Sequence, residues 1–213
     1  RMCRPVFLQK LSQKIHQAGG LLIFDEVMTG FGRTGTLFAC EKARIIPDII
    51  CLSKGLTGGF MPMAVTVCQQ KIHDAFLGDT FDRALAHGHS FTANPLGCAA
   101  ALASLDLFAS GEPLQNCARL EAIHRRRLQG LITHPRVTKP RCTGVIAALN
   151  VANPGSSGYT AAIGPRLKQF FLDRGLLIRP LGEVIYLLPP YCLTDEELHT
   201  AWDAIHEALD TVT

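Results

Sequence analysis

The stretch LLIFDEVMTGFGRTG (residues 21–35) opens on four consecutive apolar residues and stops at Asp25-Glu26. A short unbroken apolar run of this kind is the pattern of a strand buried on both faces of a parallel sheet. Two further runs follow: 49–52, after Pro47-Asp48 and ending at Ser53-Lys54, and 64–68, after the loop 55–62. Strands separated by roughly 10 to 25 residues of mixed sequence predict an α/β sheet with crossovers. Upstream, Val6, Phe7, Leu8, Leu11 and Ile15 share one helical face, and Gly19-Gly20 end that helix. Downstream lie a polar stretch at 78–83 and a loop at 87–94. Asn94-Pro95 then supplies an N-cap and a first-turn proline for an alanine-rich helix running to about Ser110. Gly111-Glu112-Pro113 interrupts it, and a second helix is expected over 114–131. From Val137 the character changes to short strands (145–151, 176–179, 184–188) between two helices. The last helix opens on the capping box Thr194-Asp195-Glu196-Glu197, and its apolar stripe is Leu198, Trp202, Ile205 and Leu209. A boundary between 110 and 136 divides the chain into domains 1–110 and 111–213; there are no internal repeats.

Composition narrows the class. The 213 residues are 47% apolar and 18% charged, with a formal net charge of +3. That excludes a disordered tail, a collagen-like repeat and a low-complexity linker. Neither the charge nor the single basic run Arg125-Arg126-Arg127 argues for nucleic acid, and the run reads as a solvated helix face. The longest apolar stretch, 96–109, is broken by Asp106 and falls short of a membrane span. No basic-then-apolar leader opens the chain. The eight cysteines show no C-x-x-C spacing, so they read as buried free thiols of a reducing compartment, and a cytoplasmic protein is expected.

Asp25 and Lys54 are the most informative pair. Each follows a predicted strand, and functional groups gather at the carboxyl ends of parallel strands. One reading is structural: a salt bridge, or an N-cap beside a surface lysine. The other is a pyridoxal phosphate site, in which a lysine holds the cofactor as a Schiff base and an aspartate keeps the pyridine nitrogen protonated.

Three segments in order, LLIFDEVMTGFGRTG, SKGLTGG (53–59) and HGHSFTANPLGCAAALASL (87–105), resemble the class III, fold-type I pyridoxal-phosphate-dependent aminotransferases. The stretch GLLIRPLGEVIYLLPPYCLTDEEL (175–198) resembles the branch of adenosylmethionine-8-amino-7-oxononanoate aminotransferases, the 7,8-diaminopelargonate synthases of biotin biosynthesis. The resemblance implies a partial large parallel-sheet domain (1–110, the remainder of the cofactor-binding domain) and a C-terminal α+β small domain (111–213). It also implies transamination of 8-amino-7-oxononanoate to 7,8-diaminononanoate, with adenosylmethionine or lysine as amino donor. Other class III ω-aminotransferases, of the ornithine, 4-aminobutyrate or β-alanine type, are the alternative activity. A catalytically silent half serving binding or assembly is the alternative of another class.

By resemblance, Lys54 is the lysine that holds the cofactor and then serves as general base, Asp25 the pyridinium partner, and Val27 the residue packed on one ring face. Gly88, His89 and Ser90 match a loop that reaches into the neighbouring subunit's site of a homodimer, where Ser90 and adjacent N–H groups bind the phosphate. Arg179 matches the arginine that holds the substrate carboxylate; an ion pair with Glu183 is its other reading. Tyr186 is a substrate contact or a core tyrosine, and Arg33 an active-site-loop residue or a plain loop cation.

Other motifs carry less. Gly30-Phe31-Gly32-Arg33-Thr34-Gly35 satisfies G-x-G-x-x-G, but residues 25–29 separate it from the strand, unlike a dinucleotide fingerprint. His87 and His89 lack further ligands at metal-binding spacing, His199 and His206 suit one helix face, and His124 has no evident partner. No metal is expected. Because the resemblance covers only the second half of the family's chain, the sequence is expected to be a fragment, inactive alone.

Overall fold

In the computed structural model, which describes residues 2–152 and 158–212, the chain divides into two units, Arg1–Pro113 and Leu114–Thr213. In the first, Pro5 opens helix α1 (Pro5–Gln17), which ends at Ala18 before Gly19 turns the chain with a φ of 73°. Leu8 and Ile15 pack from α1 against Leu22, Ala43 and Ile45, whereas Val6, Phe7 and Leu11 on the predicted apolar face are exposed. Strand β1 (Ile23–Asp25) follows, then α2 (Ala39–Lys42), β2 (Ile49–Leu52), β3 (Val65–Cys68) and α3 (Gln70–Asp74). A 3-10 turn at Lys54–Thr57 lies between β2 and β3.

The sheet order is β1-β2-β3. β1 and β2 are parallel, with Ile23 opposite Ile49 and Asp25 opposite Cys51. β3, however, is antiparallel to β2, so the crossover expected between successive strands is absent here and the sheet is mixed. The cause is local: residues 53–64 form a 3-10 turn and a bend, with no helix to carry the chain back across the sheet face. An antiparallel edge strand on a parallel sheet is common. The expectation that 21–24 is buried on both faces is also corrected. Leu22 is buried, but Leu21 and Ile23 are 54% and 58% exposed, because no described element covers that face.

Asp48 fixes the start of this sheet. Its buried carboxylate accepts hydrogen bonds from Leu22 N (2.9 Å), His16 Nε2 (2.8 Å) and Lys71 Nζ (2.6 Å). These donors, the Leu22 amide first, hold it well below the usual carboxylate range. The unit closes with α4 (Pro95–Ala109), where Asn94 Oδ1 accepts from Gly97 N at 2.7 Å, as the Asn-Pro signal predicts.

Helix α5 (Glu112–Gly130) leads into the second unit, followed by β4 (Val137–Thr143), β5 (Ile146–Val151), α6 (Ile163–Leu172), β6 (Val184–Leu187) and α7 (Asp195–Thr211). The three strands form one antiparallel sheet in that order. β4 escapes sequence reading because Pro140 interrupts it, Lys139 has a φ of 51° and the register shifts between Thr138 and Arg141. The strand expected at 176–179 does not form. Leu176 N donates back to Phe171 O at the end of α6 (2.9 Å), and Pro180 has no N–H to give.

The predicted capping box is present: Glu197 N donates to Thr194 Oγ1 (3.2 Å) and Thr194 N to Glu197 Oε2 (2.8 Å). Leu198, Trp202, Ile205 and Leu209 enter one core with Leu120, Leu149, Leu167 and Phe171. The arginine run lies on α5, where Arg125 pairs with Glu121 (2.5 Å) and Arg127 reaches Asp203 (2.7 Å) and His199 Nδ1 (3.0 Å) on α7. The expectation that the cysteines are buried is corrected in part. Only Cys40 and Cys117 are buried, while Cys3 and Cys192 are exposed.

His124 is fully buried on α5 and has a partner the sequence did not reveal: Trp202 Nε1 donates to its Nδ1 at 3.1 Å. Its Nε2 has no hydrogen bond among the described residues. Burial pushes the imidazole down to about 4 against weaker opposing effects from the Val145 backbone and Glu121. An unfolded histidine titrates near 6.5, so between those values the unfolded chain binds the extra proton. Stability of the second unit is therefore full above about pH 6.5 and is lost as pH falls toward 4, by up to about 3 kcal/mol. Urea titrations followed by fluorescence of Trp202, the chain's one tryptophan, should show this dependence from pH 7 to 5. A His124→Phe variant should lack it.

Candidate active site

The parallel β1–β2 pair brings the two sequence-selected residues to one end of the sheet. Asp25 is the last residue of β1 and lies opposite Cys51; Glu26 N extends the ladder to Cys51 O at 2.9 Å. Two residues beyond β2, Lys54 begins the 3-10 turn. Both side chains are exposed. Among the described residues, the only hydrogen bond to the Asp25 carboxylate is from Val27 N (3.0 Å to Oδ1), and Lys54 makes no ion pair. Asp25 and Lys54 thus form no salt bridge, and Asp25 caps no helix, since α2 starts after Phe38. A carboxylate held by one backbone amide and an uncommitted amine stand at neighbouring strand ends, a donor set that fits a ring nitrogen and an aldehyde.

Glu26, beside Asp25, is buried and fully occupied. Its carboxylate accepts from Cys40 N (2.7 Å), Ala39 N (2.9 Å) and Thr29 Oγ1 (2.6 Å), so it ties the end of β1 to the start of α2. It also pushes the Cys40 thiol up to about 11, after the larger effect of burial. Lys54 has a left-handed φ of 49°, a conformation that costs a non-glycine residue and is held by its surroundings. Ser53 Oγ donates to Met63 O (2.6 Å) and Thr57 Oγ1 to Met61 O (2.6 Å), closing the loop that follows. Val27 is half-buried in the turn after Asp25, and Arg33 is half-buried in the loop leading to α2.

Gly88, His89 and Ser90 lie in an exposed loop of the same unit. The adjacent N–H groups expected to bind an anion are largely committed within the loop. His89 N donates to Thr92 Oγ1 (3.0 Å), Phe91 N to His89 Nδ1 (3.1 Å), and Thr92 N to His89 O (3.0 Å). The Ser90 hydroxyl makes no hydrogen bond among the described residues. Arg179 and Tyr186 belong to the second unit. Arg179 is exposed and makes no ion pair with Glu183 among the described residues; Glu183 instead accepts from Asn150 Nδ2 (2.9 Å). Tyr186 is half-buried on β6 opposite Ala148, on the sheet face away from Ile185 and Leu187.

A cleft of about 460 Å³ lies at the other end of the strands, lined by His16, Gly19, Gly20, Leu21, Asp48, Gln69 and Lys71. Its charges are already paired around Asp48, and none of the site residues above line it. Among the described residues no three His, Cys, Asp or Glu side chains converge to hold a metal ion, and no helix is long and apolar enough to cross a membrane.

Residues 1–209 match the family Aminotransferase class-III. The chain belongs to that family. An adenosylmethionine-8-amino-7-oxononanoate aminotransferase from Synechococcus elongatus is 54% identical over 212 residues, covering 100% of this chain and 49% of the relative. One of the same name from Geobacter sulfurreducens is 40% identical, covering 97% and 47%. Among solved structures, the adenosylmethionine-8-amino-7-oxononanoate aminotransferase of Methanocaldococcus jannaschii superposes with a TM-score of 0.88 at 33% identity, over 97% of this chain and 49% of that one. An amine transaminase from an uncultivated Pseudomonas species, solved in the PLP-bound internal aldimine form, gives 0.89 at 32% identity over 98% and 48%. The chain spans about half the length of the curated relatives it matches. Fold-type I class III transaminases thus share its α/β architecture.

The Glu26 anchor is testable. Glu26→Ala leaves two backbone amides and a hydroxyl without their acceptor and should cost about 3 kcal/mol. Hydrogen exchange should show the loss in the amides of β1, β2 and α2.

Proposed function

We propose that the protein carrying this chain is a pyridoxal-phosphate-dependent aminotransferase that converts 8-amino-7-oxononanoate to 7,8-diaminononanoate in biotin biosynthesis. The observation that carries the chemistry is the uncommitted Lys54 amine beside the nearly uncommitted Asp25 carboxylate at the ends of two paired parallel strands. The substrate rests on the relative at 54% identity that bears that name.

Pyridoxal phosphate, when bound, supplies the electron sink that lets an amino group pass from donor to acceptor. Lys54 would hold it covalently and, once released, carry a proton between substrate and cofactor carbons as general base. Asp25 would keep a proton on the pyridine nitrogen, and Val27, fixed by its amide to Asp25, would pack on one ring face. Arg33 lies in the loop beyond. In the second unit Arg179 would take the substrate carboxylate, as a planar bidentate donor does well, with Tyr186 lining the substrate.

The domain roles follow the resemblance, residues 1–110 belonging to the cofactor-binding domain and 111–213 to the small domain. A homodimer with shared sites is part of the proposal: the Gly88-His89-Ser90 loop would enter the neighbouring subunit's site and give the Ser90 hydroxyl to the cofactor phosphate. Exposed Phe81, Leu85 and Phe91 around that loop supply apolar surface for such a contact. Adenosylmethionine is the proposed amino donor and the cytoplasm the proposed compartment.

Incubation with pyridoxal phosphate, borohydride reduction and peptide mass spectrometry should place the label on Lys54 in preference to the other lysines. Lys54→Ala should abolish the selective label. Amino transfer to 8-amino-7-oxononanoate should exceed transfer with ornithine, 4-aminobutyrate or β-alanine. A labelled enzyme that prefers one of those three would keep the cofactor assignment and overturn the substrate. Absence of selective labelling in the protein carrying this chain would overturn both.

A further inference from the structure

The motif Gly30-Phe31-Gly32-Arg33-Thr34-Gly35 binds no dinucleotide by its context, and the reaction just described gives Phe31 no task. Its geometry supplies one. Phe31 has a left-handed φ of 56° and is almost wholly buried. Gly32 and Gly35, with φ of 90° and 95°, let the chain double back on either side of it. Gly30 approaches the Glu26 carbonyl so closely that a Cβ there would lie 2.9 Å from it. The glycines thus fold a tight loop that drives one phenylalanine inward.

The inward ring meets the backbone of the Lys54 turn. A Cβ on Gly55 would lie 2.8 Å from Phe31 Cβ and 3.0 Å from Phe31 Cδ2, so Gly55 is bare where Phe31 presses. Phe38 and Phe108 back the ring, at centroid distances of 5.7 and 6.0 Å. Across the same peptide, Ser104 Oγ on α4 donates to Gly55 O at 3.1 Å. The residue directly before Gly55 is Lys54, itself left-handed with a φ of 49° and not a glycine. Two left-handed non-glycine residues from different loops therefore meet across one glycine.

We propose that Phe31 is a positioning residue. Pressed against Gly55, with Ser104 holding the Gly55 carbonyl, it keeps Lys54 in its left-handed conformation and so aims the Lys54 amine from the strand end. The inference rests on the reading of Lys54 as the cofactor-binding lysine, but the conformational part stands by itself. It accounts for the glycine pattern as packing that serves a lysine.

Crystal structures of the protein and of its Phe31→Ala, Phe31→Leu and Ser104→Ala variants read the Lys54 φ directly. In Phe31→Ala, Lys54 is expected to leave the left-handed region, and Phe31→Leu, which keeps bulk against Gly55, should retain it. Selective labelling of Lys54 by pyridoxal phosphate should fall about tenfold or more in Phe31→Ala, less in Ser104→Ala, with labelling of the other lysines unchanged. Ile45→Ala, a cavity in a separate cluster of the same unit, controls for lost stability and should leave the Lys54 label intact. Lys54 holding a φ near +49° and full labelling in Phe31→Ala would overturn the proposal. So would an equal loss in Ile45→Ala, which a purely structural role predicts. If Phe31→Ala does not fold, Ser104→Ala and Phe31→Leu decide by the same two readouts. Should the unsubstituted protein itself fail to label, the cofactor reading falls, while the Lys54 φ in the variants still decides the positioning role.

Discussion

Two buried carboxylates, one at each end of a very short parallel pair, carry the architecture of the N-terminal unit. β1 has three residues and β2 four, too few for ladder hydrogen bonds alone to fix a register against slippage. Asp48 holds the amino ends by taking Leu22 N together with His16 from α1 and Lys71 from α3, and Glu26 holds the carboxyl ends by taking both leading amides of α2. Burying a carboxylate is unfavourable unless its lone pairs are occupied, and here each has three donors. The strain at Lys54 and the exposure of Asp25 are tolerable because the frame beneath them is fixed in this way.

How much of this could be read from the residues depended on the range of the interaction. Caps and turns are local, so Asn94 and Thr194 announced their helices correctly, and the run 49–52 matched β2 to the residue. The juxtaposition of Asp25 with Lys54 was also legible, since it requires only that two adjacent strands run parallel. Partnerships between distant segments were not. Nothing in the sequence pairs Trp202 with His124, Glu26 with Cys40 N, or Phe31 with Gly55. The direction of β3 was not legible because an apolar run has no polarity, and only the loop geometry sets it. β4 was missed because its proline and bulge imitate a loop, and the 176–179 strand was overread because an extended apolar segment can spend its donors elsewhere.

The two units differ in how completely they bury their apolar residues. In the second, Leu120, Leu149, Leu167, Phe171, Ile185 and Leu209 are essentially inaccessible. In the first, Val6, Phe7 and Leu11 on α1, Ile23 on β1 and the phenylalanines around the 84–94 loop face outward, Phe81 at 81% and Phe91 at 74%. Apolar surface of this extent is what interfaces are made of, and the described residues do not cover it. The second subunit of the homodimer proposed above is a candidate for that cover.

Glycine patterns gain their meaning from what they admit. In a dinucleotide site the glycines let a pyrophosphate approach the backbone at a helix N-terminus. Here α2 begins only at Ala39, and its first amides are already taken by Glu26, so no anion could use them without displacing a buried carboxylate. What the glycines admit instead is Phe31. Gly55, from the neighbouring loop, admits the same ring from the other side. A spacing that matches a phosphate-binding motif can therefore be satisfied wholly by packing, and the deciding observation is whether the amides at the following helix are free.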